Sequence, residues 1–193
     1  EHIHEGKYDL CELFSPPRVS QAATKRGLRG GWSLDLGHVD PVSGSAWDLS
    51  EPVVQKKVWR MIRRDKPLVI GMSPECTLFS ALQNLRKTVI PPDELAKAIA
   101  CVDFCAEVAK YQIKMKRLFY FEHPLTASSW RLESLTELRE HREVEDVVLH
   151  MCAFGLESQD EEGRAKNGVF ELESCSSLSS SMLDVTKHQK DQT

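Results

Sequence analysis

From residue 7 to about residue 155, short apolar runs of strand length alternate with longer stretches of helical periodicity. That alternation is the signature of repeated βα units, which build a mainly parallel sheet covered by helices on both faces. Tyr8 to Phe14 reads as the first strand, stopped by Ser15, Pro16 and Pro17, after which Val19, Ala22 and Ala23 form the apolar face of a short helix ending near Gly27. Trp32 to Leu36 reads as the second strand and Ala46 to Leu49 as a short third. Ser50 stands as an N-cap before Pro52, and Val54, Val58, Trp59 and Ile62 recur at helical spacing up to Asp65. Pro67 to Met72 is unbroken apolar sequence, which suits a central strand buried on both sides. Pro91, Pro92, Asp93 and Glu94 open the clearest helix, expected to reach Met115. Leu118 to Phe121 and Val147 to Cys152 complete the strands, with an exposed helix over residues 132–142 between them. Residues 1–6 read as a flexible start, 7–155 as the α/β domain, and 156–193 as a mobile tail, because its acidic and serine-rich composition offers little apolar surface to bury.

With 193 residues there is room for one domain of this kind. No apolar run approaches the roughly 18 residues of a membrane span, so no membrane partner is expected. A basic stretch leading into an apolar one is missing near Glu1, so no signal peptide is expected, and the chain reads as a fragment of a longer one. Cys11, Cys76, Cys101, Cys105, Cys152 and Cys175 lack CxxC spacing, which points to a reducing, intracellular setting, nuclear or cytoplasmic, without disulfides or a metal. The net charge of −4 excludes a protein that holds nucleic acid by bulk electrostatics. Local contacts would fall to Lys56, Lys57, Arg60, Arg63, Arg64 and Lys66, or to Lys110, Lys114, Lys116 and Arg117, although a solvated helix face explains each run equally well.

In an open parallel sheet, ligands sit beyond the carboxyl ends of the strands. Residues finishing the apolar runs are therefore the candidates: Phe14 and Ser15, Asp35, Asp48, Ser73 to Cys76, and Glu122. Two acids after the second and third strands suit a nucleoside cofactor, one at the ribose hydroxyls and one near the adenine amino group. A thiol and a carboxyl on neighbouring strands suit a nucleophile and an acid. His2 and His4 read as an exposed end, and Phe79 stands where a zinc deaminase would need a second cysteine after Cys76.

The run Gly71-Met72-Ser73-Pro74-Glu75-Cys76-Thr77-Leu78-Phe79-Ser80 resembles the Pro-Pro-Cys loop of DNA cytosine-5 methyltransferases, and Phe121-Glu122-His123-Pro124 resembles their Glu-Asn-Val segment. Asp9 to Phe14 is similar to the opening of the family's first motif, and Asp35 and Asp48 match its acids after the second and third strands. A weaker likeness extends to methyltransferase-like segments of mobile-element polyproteins. The resemblance implies a three-layer, Rossmann-like methyltransferase fold that uses S-adenosylmethionine as cofactor and DNA as partner, with RNA the lesser alternative. Cys76 and Glu122 would be catalytic, with Asp9, Phe14, Asp35, Asp48 and Pro74 at the cofactor. Cys76 as thiolate would attack C6 of a flipped-out cytosine while Glu122 stabilises the protonated N3.

The chain departs from that pattern in four places. Ser15-Pro16-Pro17-Arg18 replaces a glycine-rich loop whose backbone would approach the methionine part of the cofactor. Glu75 replaces the second proline, where like-charge repulsion raises the thiol pKa. His123 replaces the asparagine, and only Gln159 and Arg164 echo a later Gln and Arg pair. The alternative is accordingly a noncatalytic, degenerate module acting in protein or nucleic-acid interaction.

Overall fold

The structure is a computed structural model and describes residues 5–80 and 90–150, together with three short strands farther on. His2, His4, Cys152 and Arg164 lie outside the described residues. The chain runs β1 (Leu10–Leu13), α1 (Val19–Lys25), β2 (Gly30–Leu34), α2 (Pro52–Asp65), β3 (Val69–Met72), α3 (Pro92–Lys114), β4 (Leu118–Pro124), α4 (Glu133–Arg139) and β5 (Glu145–His150). β6 (Ser158–Gln159) and β7 (Ala165–Lys166) form a separate ribbon, and β8 (Glu171–Ser176) returns to the main sheet.

The strand order is β2-β1-β3-β4-β8-β5, with β2, β1, β3 and β4 mutually parallel and β8 antiparallel to both its neighbours. Helices cover both faces, so the architecture is a three-layer, Rossmann-like α/β fold. β8 comes from the serine-rich stretch expected to lie in a tail. Its polar residues enter the sheet through backbone pairing, which does not depend on the apolar content that the expectation weighed.

Alternation along the strands separates the two faces. On one, Leu13, Ile70, Met72, Phe119 and Phe121 are fully buried against Val58 and Ile62 of α2 and Val102, Cys105 and Ala109 of α3. Each such side chain contributes about 1.5–3 kcal/mol relative to exposure. The other face carries Glu12, Gly71 and Tyr120 side by side across β1, β3 and β4. Gly71 is required there, because a Cβ would lie 2.1 Å from Tyr120 Cζ.

Two local expectations are corrected. Ala46 to Leu49 forms no third strand; Ala46 makes only an isolated bridge to Val39, while Trp47 and Leu49 turn into the core. Ser50 does not cap α2. Its amide and hydroxyl both bond Asp48 Oδ1, at 3.0 and 2.6 Å, and the cap position falls to Glu51, immediately before Pro52.

Glu12 fixes the start of α1. Its side chain is 1% exposed, and its two oxygens accept from the Val19 and Ser20 amides at 3.2 and 2.7 Å and from the Ser15 and Ser33 hydroxyls at 3.2 and 3.1 Å. Glu12→Ala leaves buried amides and hydroxyls without an acceptor, and a loss of about 3 kcal/mol or more is expected in denaturant unfolding. A loss below about 1 kcal/mol would show that the carboxylate holds little.

Candidate functional site

The chain reverses its direction of progress across the sheet between β1 and β3, since β2 lies to one side of that pair and β4 to the other. Ligands of open α/β sheets bind at such a switch point, beyond the carboxyl ends of the strands. A cavity of about 480 Å³ opens there, within the usual range for ligand sites of about 300–1,000 Å³. Its walls are Phe14 after β1, Leu36 after β2, Trp47 to Ser50 before α2, Glu75, Thr77 and Leu78 after β3, and Glu94, Lys97, Ala98 and Cys101 of α3.

Phe14 holds a left-handed backbone with φ 57°, although it is neither glycine nor a small polar residue. That conformation costs a bulky residue about 1–3 kcal/mol and persists only where its surroundings impose it. The Phe14 amide donates to the Leu34 carbonyl at 2.8 Å, and the Ser73 amide donates to the Leu13 carbonyl at 3.2 Å, so the turn is clamped from both neighbouring strands. The result is an aromatic side chain set at the cavity wall.

Asp48 is partly buried at the same wall, with one oxygen taken by Ser50. The Cys101 thiol is pushed up to about 11, first by burial and then by the charges of Asp48 and Glu75, which share the cavity lining with it. Lys97 faces Glu51 at 3.9 Å. The lining thus combines apolar walls from Trp47, Leu49 and Leu78 with the carboxylates of Asp48, Glu75 and Glu94 and one cation.

Of the expected cofactor residues, Phe14 and Asp48 meet at this cavity, while Pro74 is buried and does not line it. Asp35 follows β2 directly but turns to its own loop, accepting from the Gly37 amide at 3.4 Å and facing His38 at 3.8 Å. Asp9 does not join them. It precedes β1, at the opposite end of the strand, where Arg29 takes its carboxylate at 2.5 Å and the Arg29 amide donates at 2.8 Å.

Cys76 follows β3 by four residues and Glu122 lies within the parallel neighbour β4, but neither borders the cavity, and no described hydrogen bond joins them. Alternation puts Glu122 on the face of Tyr120, where it accepts from the Ser73 hydroxyl at 2.7 Å. The Cys76 thiol is half-buried, and its pKa is raised by burial first and by Glu75 second. The like-charge effect expected of Glu75 is therefore present but secondary. Among the described residues no base is bonded to the thiol.

The residue that binds these loops together is His123, which is 2% exposed. Its Nε2 lies 2.9 Å from the Pro74 carbonyl, which can only accept, so the proton is on Nε2 and Nδ1 accepts from the Ser129 hydroxyl at 2.6 Å. Phe79, Phe121 and Trp130 surround the ring. Ser73 and His123 were legible only as neighbours of the cysteine and the glutamate; their roles depend on pairing between strands distant in sequence.

The basic run of α2 is largely engaged within the domain. Lys57 bonds Asp40 and lies over Trp47, Arg63 lies over Trp59, and Arg64 bonds Asp65 at 2.7 Å. Lys110 bonds Glu137 at 2.6 Å. Among the described residues, no helix is long and apolar enough to cross a membrane, and no cluster of His, Cys, Asp and Glu is suited to a metal ion. Searches against protein-family profiles and curated protein sequences find no match.

Burial of His123 pushes its pKa down from 6.5 to about 4. The unfolded chain takes up this proton at higher pH than the folded one. Stability from the neutral ring is therefore complete above about pH 6.5 and lost as pH falls through 4, by on the order of 3 kcal/mol. Urea unfolding between pH 7 and 4 is expected to show this slope in the native chain and a shallower one in His123→Gln; equal slopes would assign the acid sensitivity elsewhere.

Proposed function

We propose that the crevice between β1 and β3 holds the adenosyl part of S-adenosylmethionine, and that the domain is of the methyltransferase type acting at C5 of cytosine in DNA. What carries the reading is the strained Phe14 at the switch-point cavity, which Asp48 also lines. An aromatic wall, apolar surroundings and a carboxylate with only one oxygen bonded among the described residues suit a purine nucleoside. The lining carboxylates favour a sulfonium cation over a nucleotide.

When bound, the cofactor supplies an electrophilic methyl group. The chain's own part is to bring a flipped cytosine to the loop after β3, where Cys76 Sγ would bond to C6 as the C5–C6 double bond opens, Glu122 would hold the proton at N3, and loss of the C5 proton after methylation would restore the double bond and release the thiol. Cys76 must first lose its proton, which burial and Glu75 both oppose. An intracellular setting, nuclear or cytoplasmic, belongs to this reading.

A second reading, a noncatalytic module that keeps the crevice without the chemistry, is favoured by that protonated thiol and by the Ser73 bond already made to Glu122.

Thermal unfolding with millimolar S-adenosylmethionine tests the binding step, because a ligand selective for the folded state raises Tm. A rise of several degrees is expected in the native chain and none in Phe14→Gly, which relieves the backbone strain while removing the ring. No rise in the native chain overturns the proposal. Methyl transfer to a cytosine-containing duplex, abolished in Cys76→Ala with Tm retained, separates the catalytic reading from the noncatalytic one.

A further inference from the structure

The cations of α2 divide by direction. Val58, Ile62 and Asp65 are buried against the sheet, and positions 56, 60 and 63 each stand two residues before one of them, on the opposite side of the helix. Lys56, Arg60 and Arg63 occupy those positions, and all three are exposed. Lys57 and Arg64, by contrast, are spent on Asp40 and Asp65. Lys56 to Arg63 covers about 10 Å of helix axis, a length over which one DNA strand carries about three phosphates. The row also leads to the cavity: Ser50 lines it, α2 begins at Pro52, and Lys56 follows about 6 Å along the axis.

Under the row runs a column of alternating cations and rings. The Arg63 guanidinium lies 5.3 Å over the Trp59 ring, Trp59 meets Tyr111 of α3 edge-on at 5.3 Å, and Arg117 lies 5.4 Å over Tyr111. The ring beneath Arg63 restricts its guanidinium, so less freedom is lost when it bonds an anion. Arg117 is 7% exposed, and among the described residues its terminal nitrogens bond nothing. Its charge therefore adds to the positive potential of the face above it, where little water intervenes to screen it.

We propose that the outward face of α2, through Lys56, Arg60 and Arg63, holds the sugar-phosphate backbone of the DNA substrate. This rests on the DNA reading above and gives it a contact surface. A row of long cations at one-turn intervals suits the repeating charge of a phosphate chain, and it supplies position and affinity without reading bases. A chain with net charge −4 can bind DNA in this way because the contact is local.

Fluorescence anisotropy of a labelled duplex, titrated with the full chain over a series of salt concentrations, tests it. The triple variant Lys56→Gln, Arg60→Gln, Arg63→Gln is expected to bind at least about tenfold more weakly than the native chain, and equally so on duplexes of unrelated sequence. Its slope of log K against log salt is expected to be shallower by about three. Its Tm is expected to stay within about 2 °C of the native value, because these side chains face solvent. Lys25→Gln with Arg26→Gln removes exposed cations at the end of α1, on the other face of the sheet, and is expected to change affinity by less than about twofold. A triple variant that binds like the native chain, or an equal loss in both variants, overturns this proposal and leaves the DNA reading to other residues. A polyglutamate peptide of equal charge that binds as tightly as the duplex overturns it in favour of an acidic protein partner. A native chain that binds no duplex even at low salt overturns the DNA reading and this surface with it, while the Tm measurement with S-adenosylmethionine still decides the cofactor.

Discussion

A carboxylate buried in the middle of β1 organises the end of the sheet where ligands bind. Glu12 draws the first-turn amides of α1 and the hydroxyls of Ser15 and Ser33 onto its two oxygens. Burying such a group is costly unless it is fully bonded, and here each oxygen accepts two bonds. The helix is thereby pinned to the sheet at its N-terminus, which fixes the turn through Ser15 to Arg18 and, with it, the path of the chain at Phe14. A loop that would otherwise present amides to a ligand presents them to the protein.

Beyond that turn, the parallel register of β1, β3 and β4 brings three loops to one end. Phe14 is forced into a left-handed backbone by hydrogen bonds reaching β1 from both neighbours, and its ring borders the cavity instead of packing wholly into the core. His123 performs the matching task one strand along, joining the loop of Pro74 to that of Ser129 through a neutral ring. The site is rigid where strands support it. Its chemistry-bearing thiol, by contrast, has burial and a neighbouring carboxylate working against ionisation.

Much of this was legible in sequence because parallel strands covered on both faces announce themselves as unbroken apolar runs: Val69–Met72 and Leu118 to Phe121 fall within the expected stretches. The short segment at Trp47 misled because an apolar residue turning into the core from an irregular loop looks like a strand residue. β8 was hidden because serine contributes backbone to a sheet as readily as valine does. Asp9 stands apart from the cavity for a positional reason, since it precedes its strand and does not follow it. The separation of Glu122 from the cavity follows from parity: it shares a face with Tyr120, not with Phe121. Glu12 was the overlooked signal, a single acid inside an apolar run.

The central claim is that a nucleoside occupies the crevice between β1 and β3. Titrating adenosine into isotopically labelled protein and following backbone amide resonances tests it directly. Shifts are predicted to concentrate at Phe14, Leu36, Trp47 to Ser50, Glu75 to Leu78 and the Glu94 to Cys101 stretch of α3. Shifts centred on residues away from this cavity, or none at saturating ligand, would contradict it.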